Sequence, residues 1–218
     1  MKRFRRGSLY VITDPKVQQG RNHLEVLTEA IRGGASVVQL RDKDATDEAL
    51  IAMGKRLREV CDRFQALLIV NERVSVAKAI HADGLHIGQD DLSIPEARRQ
   101  VGKEILLGIS THSLEQAKQA VQEGADYIGV GPIFKTPTKP DAPAVGIGFI
   151  KRVRQHLSIP FVAIGGINPS NARDVLAAGA DSVAVVRAVV AEADVYQAAK
   201  GFSTLLISWK EGLESRHD

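Results

Sequence analysis

The amino-acid sequence predicts an α/β protein, a single (β/α)8 or TIM barrel whose active site lies at the C-terminal ends of the strands. Short apolar runs alternate with longer amphipathic stretches, which is the pattern of buried parallel strands joined by helices. A similar tetrapeptide precedes four of the apolar runs, as expected where glycine ends a helix and a strand follows. The four are GGAS, HADG, EGAD and AGAD. A length of 218 residues accommodates eight such strand–helix units.

Eight mostly apolar runs predict the strands. In chain order they are Leu9–Thr13, Val37–Arg41, Leu67–Asn71, Gly84–Ile87, Ile105–Ser110, Tyr127–Gly131, Phe161–Ile164 and Ser182–Val186. Amphipathic stretches predict a helix after each strand. These helices are His23–Arg32, Asp47–Arg63, Val74–Ile80, Pro95–Val101, Ser113–Glu123, Phe149–Leu157, Pro169–Ala178 and Val195–Trp209.

Polar residues mark where several of these helices begin. Thr46 precedes the second helix and suits an N-cap. Ser113 suits the cap of the fifth helix, with Gln116 three residues later as its capping-box partner. Asn168 stands before Pro169, which predicts a cap followed by proline at the first helical position.

A doubly wound open sheet is the alternative architecture. Such a sheet usually has a glycine-rich dinucleotide loop after its first strand, whereas here the first strand runs into Thr-Asp-Pro. No linker of biased composition divides the chain, so we expect residues 1–218 to form one domain. Residues 1–7 are predicted to be a solvated basic tail. Residues 134–148 are predicted to be an active-site loop, because long irregular loops in compact domains are usually functional.

Composition excludes several classes of protein. Hydrophobic residues are 44% and charged residues 25% of the chain, which excludes a mostly disordered protein. No apolar run approaches the roughly 18 residues of a membrane span. Aromatic residues are only 5%, and the basic residues near the start are not interleaved with them, so we expect no nucleic-acid or membrane partner. The single cysteine, Cys61, cannot form an internal disulfide and suits a reducing, cytoplasmic compartment.

Charged residues cluster at the predicted strand ends. Glu72 and Asp91 follow neighbouring strands, and carboxylate oxygens suit Mg²⁺, which often bridges protein carboxylates to substrate phosphates. Arg41, Lys43 and Lys139 fall at or just beyond strand ends as well. The combination indicates a phosphate-plus-metal site. The alternative is that the two acids only stabilise helix N-termini.

Glycine and neutral polar residues extend the same predicted rim. Gly165 and Gly166 follow the seventh strand and lead toward a helix, where backbone N–H groups can approach a phosphate. A tight turn alone is the alternative. Gln39, Asn71 and Ser110 can hydrogen-bond the edge of a heterocycle at this mouth.

The histidines give weaker signals. His86 lies inside a predicted strand and is interpreted as a rim or core residue, and His112 is a candidate for catalysis. No histidines have metal-ligand spacing, and no nucleophile–base–acid arrangement can be recognised from spacing.

Eight segments resemble a known family, the thiamine-phosphate synthases. They are LYVITD, VQLRDK, VNERV, LHIGQDD, GIST, GPIFKTPTKPDAPAVG, AIGGI and, near the end, VAVVRA, and the resemblance runs from about Leu9 to Val190. It implies a transferase that joins 4-amino-2-methyl-5-hydroxymethylpyrimidine diphosphate to hydroxyethylthiazole phosphate. The products are thiamine phosphate and pyrophosphate, and the implied cofactor is Mg²⁺.

The resemblance also implies roles for individual residues. The pyrimidine-diphosphate positions are Gln39, Leu40, Arg41, Asp42, Lys43, Asn71, Ser110 and Lys139. Those expected to act in catalysis are Arg41, Lys43, Ser110 and Lys139. The magnesium positions are Glu72 and Asp91. The thiazole-phosphate positions are Thr136, Thr138, Gly166, Val186 and Arg187, and Pro137 is a further substrate-binding candidate.

Two residues depart from the commonest family pattern. Glu72 stands where aspartate is usual, so the metal would shift or be bound through water. Arg187 stands where serine is frequent. We expect its side chain to pair with a carboxylate across the rim, leaving phosphate binding to the backbone.

Three other functions are compatible with such a barrel. A thiazole tautomerase resembles this family but carries a catalytic histidine where this chain has Pro132, and it lacks the TPTK loop. An isomerase of sugar or indole phosphates needs an acid–base pair, for which only Asp14, Glu72 and Asp91 are candidates. A non-catalytic thiamine-phosphate binding protein is the third.

Overall fold

Eight parallel strands close into a barrel in the computed structural model, which describes residues 4, 6–138, 140 and 142–214, with side chains up to residue 212. The strands are β1 (Leu9–Ile12), β2 (Val37–Leu40), β3 (Leu67–Asn71), β4 (Gly84–Ile87), β5 (Leu106–Thr111), β6 (Tyr127–Val130), β7 (Phe161–Ile164) and β8 (Ser182–Val185). Each strand pairs with its neighbours in chain order, and β8 pairs with β1. The barrel prediction is confirmed, and the open sheet is excluded.

Helices follow the strands around the outside of the barrel. They are α1 (His23–Arg32), α2 (Asp47–Phe64), α3 (Val74–Ala79), α4 (Ile94–Val101), α5 (Leu114–Gln122), α6 (Ile147–His156), α7 (Ala172–Ala177), α8 (Arg187–Val190) and α9 (Val195–Glu214). Most bounds agree with the predicted ones within two residues, the usual scatter of helix ends. No helix among the described residues is long and apolar enough to cross a membrane.

Three helical features differ from the prediction. The four-residue helix α8 was not expected, because one turn leaves no periodic signal in a sequence. Helix α9 continues past Trp209 to Glu214. Helix α7 begins at Ala172 rather than at Pro169. The side chain of Asn168 accepts hydrogen bonds from the backbone N–H and hydroxyl of Ser170, at 2.9 and 2.6 Å, and so forms a turn before the helix instead of its cap.

The other two predicted caps are present. The backbone N–H of Ala49 donates to Thr46 Oγ1 at 3.3 Å, and that of Gln116 donates to Ser113 Oγ at 3.1 Å. The amide oxygen of Gln116 accepts from the N–H of His112 at 2.7 Å. In a capping box the Gln116 side chain would accept from the N–H of Ser113, the cap residue itself. Here it accepts from the preceding residue.

The repeated joints have the predicted left-handed geometry. Gly34, Gly124 and Gly179 have φ of +104°, +91° and +103°, and His81 has φ of +50° at the HADG joint. In each case the next residue is an alanine whose N–H returns to a carbonyl of the preceding helix. A histidine therefore takes the left-handed position that glycine has in the other three joints.

Three aspartates make the same contact at the N-terminal end of the barrel. Each accepts hydrogen bonds from the first or second N–H of the preceding strand and from an arginine of an outer helix. The sets are Asp83 with Leu68 and Arg58, Asp126 with Leu107 and Arg98, and Asp181 with Phe161 and Arg154. The contact recurs at every second strand, so it ties pairs of strand–helix units together.

Removing one of these carboxylates should destabilise the fold. We expect Asp126→Ala to lower the free energy of unfolding by about 1–3 kcal/mol, because the N–H of Leu107 would lose its acceptor. Its bond to Asp126 Oδ2 is 2.7 Å long. Urea unfolding followed by circular dichroism measures the change. The exposed Glu104→Ala variant is the control, and equal stability of the two variants would contradict the assignment.

Packed side chains fill the interior of the barrel from its N-terminal end to the floor of the mouth. They are Phe4, Tyr10, Ile12, Val37, Leu67, Ile69, Leu106, Tyr127, Val162 and Ala184. The ring of Phe4 stacks on that of Tyr127 with centroids 4.9 Å apart, and Arg6 forms an ion pair with Asp181 at 3.1 Å. These two residues of the basic segment therefore contact the barrel, whereas Lys2, Arg3 and Arg5 lie outside the described residues. The opposite end is the open mouth.

Candidate active site

A cavity of about 500 Å³ opens at the C-terminal ends of the strands. It brings together ten of the residues that the sequence indicated for substrate binding. They are Gln39, Arg41, Asn71, Ser110, Thr136, Pro137, Thr138, Gly166, Val186 and Arg187. The strand-end prediction therefore identified residues from six strands or the loops that follow them, although which ligand each one binds stays a prediction.

Four further candidates have other surroundings. Leu40 is 1% exposed and packs in the core outside the barrel, so its side chain faces away from the mouth. Asp42 pairs with His23 at 3.0 Å, and Lys43 Nζ lies 3.6 Å from Glu72 Oε2. The candidate Lys139 lies outside the described residues.

Arg41 is held against the cavity wall by residues that follow β1. Its guanidinium lies 3.2 Å from the buried Asp14 carboxylate. Its backbone N–H donates to Thr13 Oγ1 at 2.8 Å, and that hydroxyl donates to the carbonyl of Arg41 at 3.0 Å. Main chain and side chain are both fixed, so the positive charge has a defined position in the mouth.

A chain of hydrogen bonds crosses the floor of the cavity. Gln39 Nε2 donates to the hydroxyl of Tyr10 at 2.6 Å, and the hydroxyls of Tyr10 and Tyr127 are 3.3 Å apart. His86 Nδ1 lies 3.0 Å from Tyr127, and its Nε2 lies 3.0 Å from Ser110 Oγ. Gln39 on β2 is thereby connected to Ser110 on β5.

The direction of these bonds follows from the need to satisfy buried groups. Tyr10 accepts from Gln39 and, among the described residues, has only Tyr127 as an acceptor for its own proton. Tyr127 then donates to His86 Nδ1, and Nε2–H donates to Ser110. Burial raises the pKa of Tyr10 and of Tyr127 well above the usual value, so both remain neutral. The hydroxyl proton of Ser110 is left to point into the cavity.

The opposite side of the mouth carries the glycine turn. Gly165 and Gly166 have φ of +100° and +65°. A Cβ on Gly166 would lie 2.7 Å from Phe134 Cβ and 2.8 Å from the carbonyl oxygen of Lys135, so a side chain is excluded there. The short helix α8 begins beside this turn, and Arg187 and Ala188 from its first turn line the cavity. Exposed backbone and a cation therefore face the same space.

The segment predicted to be an active-site loop, residues 134–148, is anchored at its base. The N–H of Val145 donates to the carbonyl of Pro132 at 2.8 Å, and that of Gly146 donates to Ile133 at 3.2 Å. The loop leaves and rejoins the barrel at one point, and its threonines at positions 136 and 138 face the cavity.

The two predicted magnesium ligands, Glu72 and Asp91, do not line the cavity, and Glu72 faces Lys43. Asp91 Oδ2 accepts the N–H of Gly88 at 2.6 Å, which fixes the orientation of the carboxylate. Glu72 has a φ of +49°, an unusual conformation for a residue other than glycine. The described residues contain no group of three or more His, Cys, Asp or Glu side chains arranged to hold a metal. The donor chemistry fits Mg²⁺, which commonly takes one or two carboxylates and completes its shell with water and substrate phosphates.

One cationic lining residue, Lys135, was not indicated by the sequence pattern. His112, the candidate for catalysis, lines the wall with its Nδ1 2.5 Å from the carbonyl oxygen of Gly131. His86, interpreted as a rim or core residue, also lines the cavity, as a polar residue between two apolar ones in a strand can indicate. The pairing of Tyr10 with Tyr127 leaves no such signal, because 117 residues separate them.

Comparisons with known proteins agree on one family. The family model described as thiamine monophosphate synthase matches residues 9–189. The thiamine-phosphate synthase of Chloroflexus aurantiacus is 53% identical over 199 residues, covering 91% of this chain and 92% of that protein. The thiamine-phosphate synthase of Methanospirillum hungatei is 45% identical over 200 residues, covering 91% of this chain and 97% of that protein. The solved thiamine phosphate pyrophosphorylase from Pyrococcus furiosus superposes with a TM-score of 0.87 at 38% identity, covering 93% and 96%.

Proposed function

The chain belongs to the thiamine monophosphate synthase family, and we propose that its barrel mouth performs the transfer by a dissociative route. The enzyme is an alkyl transferase that condenses 4-amino-2-methyl-5-hydroxymethylpyrimidine diphosphate with hydroxyethylthiazole phosphate. Thiamine phosphate and pyrophosphate are its products. One observation carries the mechanism: a single cavity combines a fixed cation, a neutral hydrogen-bonding floor and a glycine turn.

The floor of the cavity suits the aminopyrimidine ring. Gln39, Asn71 and Ser110 offer amide and hydroxyl groups to the same cavity. Because Gln39 and Ser110 are fixed by the chain through Tyr10, Tyr127 and His86, their remaining donors and acceptors are oriented before the substrate arrives. Orientation of this kind reduces the entropy lost on reaching the transition state.

Cationic residues face the position proposed for the diphosphate. Pyrophosphate becomes a better leaving group when its developing charge is neutralised. Arg41 is fixed for this purpose, and we assign Lys43 and Lys139 to the same role on the family resemblance. Mg²⁺, which we propose is held by Glu72 and Asp91, supplies further charge neutralisation when bound.

The glycine turn suits the phosphate of the thiazole substrate. The loops after the seventh and eighth strands are the usual phosphate position of such barrels. Gly166 leaves its backbone uncovered, and Thr136, Thr138 and Arg187 line the same cavity. We propose that these groups hold the thiazole ring with its nitrogen directed toward the pyrimidine methylene carbon.

The chemistry requires no nucleophile from the protein. The methylene C–O bond breaks with its electron pair leaving on pyrophosphate, and the 4-amino group donates electron density into the ring to stabilise the resulting cation. The lone pair of the thiazole nitrogen then forms the new C–N bond. We propose that Ser110 and Gln39 hold the ring flat and that Arg41 retains the pyrophosphate until this bond has formed.

The rival functions find no comparable support. Pro132 lines the cavity where a thiazole tautomerase would carry histidine. None of the three candidate acids of a sugar-phosphate or indole-phosphate isomerase, Asp14, Glu72 and Asp91, lines the cavity. We also propose that the enzyme acts in the cytoplasm, since a single cysteine suits a reducing compartment.

A turnover assay tests the proposed function. The purified chain, supplied with both phosphorylated substrates and Mg²⁺, should release thiamine phosphate and pyrophosphate in equal amounts. Reactions lacking either substrate, or containing excess chelator, are the controls. Tight binding of thiamine phosphate without turnover would contradict the proposal and favour a binding protein.

Arg187 should contribute to binding of the thiazole phosphate. The expected ion pair with a carboxylate is absent among the described residues, and the exposed side chain lines the cavity instead. We therefore expect Arg187→Ser to raise the KM for the thiazole phosphate about tenfold at low salt, because a charge-assisted hydrogen bond is lost. The effect should shrink with added salt. The KM for the pyrimidine diphosphate is the internal control, and a change below threefold at low salt would contradict the role.

A further inference from the structure

A buried polar cluster lies behind the cavity wall, between the loop that follows β1 and the turn that follows β2. Its members are Gln18, His23 and Asp42. Gln18 is 0% and His23 is 5% exposed. None of the three lines the cavity, and the mechanism above uses none of them directly. The hydrogen-bond partners of a buried histidine determine which of its two ring nitrogens carry a proton.

The orientation of the Gln18 side-chain amide is fixed by the main chain. Its Oε1 accepts the N–H of Asp14 at 3.0 Å, and its Nε2 donates to the carbonyl of Arg21 at 3.0 Å. Reversing the amide would place a donor against an N–H and an acceptor against a carbonyl. The atom of Gln18 that faces His23 is therefore an acceptor.

Both ring nitrogens of His23 must consequently donate. Nδ1 lies 3.0 Å from Gln18 Oε1, which only accepts. Nε2 lies 3.0 Å from Asp42 Oδ2. Asp42 Oδ1 accepts the N–H groups of Asp44 and Ala45 at 3.0 and 3.2 Å, and bonds of this kind favour the carboxylate form of Asp42. An imidazole with two donating nitrogens is an imidazolium.

The surroundings of His23 make Asp42 necessary for this charge. His23 is the first residue of α1, and the positive end of a helix disfavours a cation. Glu25 lies in the same first turn but is exposed, and the carboxylate of Asp14 is engaged with Arg41. Arg21 accepts from Gln18 Nε2 through its carbonyl and donates from its Nε to the carbonyl of Gln18 at 3.1 Å, so its guanidinium is a second cation beside the cluster. Asp42 is the carboxylate in direct contact, and it offsets the unfavourable helix field.

Asp42 also organises the turn that it begins. Its Oδ1 accepts the N–H groups of Asp44 and Ala45, at 3.0 and 3.2 Å. The turn at residues 42–45 follows Arg41 directly, includes Lys43 and leads into helix α2. One carboxylate oxygen thus closes the turn, while the other fastens it to His23.

We propose that His23 is an imidazolium and a positioning residue, which clamps Asp42 and thereby places Arg41 and Lys43 for the diphosphate. The kinetic part of this inference rests on the proposed function, whereas the charge state of His23 does not. The family resemblance implies that Asp42 binds substrate. The contacts of Asp42 favour an indirect role, through the turn.

Nitrogen NMR tests the charge state without any substrate. In the full chain with ¹⁵N-labelled histidine at pH 7, both ring nitrogens of His23 should show the similar shifts of an imidazolium, each with an attached proton. The His23→Gln spectrum identifies the signals. Widely separated shifts, as in a neutral ring, would overturn the proposal.

The Asp42→Asn variant tests the source of the charge. The asparagine oxygen can keep both backbone bonds of the turn, and its NH₂ group can donate to His23 Nε2. His23 should then become neutral, with its proton on Nδ1. A ring that stays doubly protonated in this variant would show that Asp42 does not hold the charge.

Steady-state kinetics test the positioning role. We expect His23→Gln to raise the KM for the pyrimidine diphosphate about tenfold, with the KM for the thiazole phosphate changed less than about twofold. His156→Gln is the matched control, because His156 is exposed and its one hydrogen bond within the described part of the chain is to a carbonyl of its own helix. Equal rises in both KM values, or none, would overturn the positioning role. If the wild-type chain has no transferase activity, the proposed function fails, and the NMR result still decides the charge of His23.

Discussion

Asp91→Asn is expected to lower kcat about a thousandfold, because charge neutralisation at the diphosphate is the largest contribution in the proposed mechanism. The asparagine oxygen can still accept the N–H of Gly88, whose bond to Asp91 is 2.6 Å long. The local turn should therefore persist while the negative charge that we propose binds Mg²⁺ is lost. The measurement is kcat as a function of Mg²⁺ concentration, and part of the lost activity should return at high Mg²⁺.

Two further variants test the same magnesium assignment. Asp91→Ala should abolish turnover at any accessible Mg²⁺, because it also removes the bond to Gly88. Glu72→Asp should keep most of the activity, since it retains the carboxylate. Full activity in either Asp91 variant would remove the metal assignment.

Arg41→Ala is expected to lower kcat about a hundredfold, because a fixed donor aimed at developing charge contributes strongly to catalysis. Arg41→Lys should lose about tenfold, since it keeps the charge but not the paired donors of the guanidinium. The buried Asp14 carboxylate loses its partner in the alanine variant. Thermal unfolding of each variant therefore accompanies the kinetics.

The exposed Arg99→Ala variant is the matched control for Arg41. It removes an arginine outside the cavity and should leave kcat unchanged. A loss of activity in Arg41→Ala that merely follows its loss of thermal stability would contradict a catalytic role.

Local patterns made most of the fold predictable. Apolar runs located all eight strands, and Thr46 and Ser113 capped their helices as expected. The prediction was wrong where one signal had two physical outcomes. Asn168 before Pro169 suits a helix cap and also a turn that precedes a helix, and the structure has the turn. The single turn α8 is too short for any periodicity.

The sequence indicated which residues lie at the strand ends, but not the direction in which each of their side chains points. Successive residues of a strand point to opposite faces, so Gln39 reaches the cavity while Leu40 packs on the outside. The bond from Gln39 to Tyr10 and the ring of His23 against Asp42 depend on the closure of the barrel. Contacts between distant residues of this kind leave no periodic mark in the sequence.

The α-secondary deuterium isotope effect at the pyrimidine methylene tests the dissociative route most directly. Pyrimidine diphosphate with a CD₂ group in place of CH₂ competes with the unlabelled substrate, and kcat/KM is compared. Because the carbon becomes trigonal as the C–O bond breaks, the account predicts a normal effect clearly above unity. Slow substrate binding hides an isotope effect on the chemical step. The measurement is therefore repeated with Arg41→Lys, in which the chemical step should be slow. An effect at unity in both the wild-type chain and this variant would contradict a cationic intermediate.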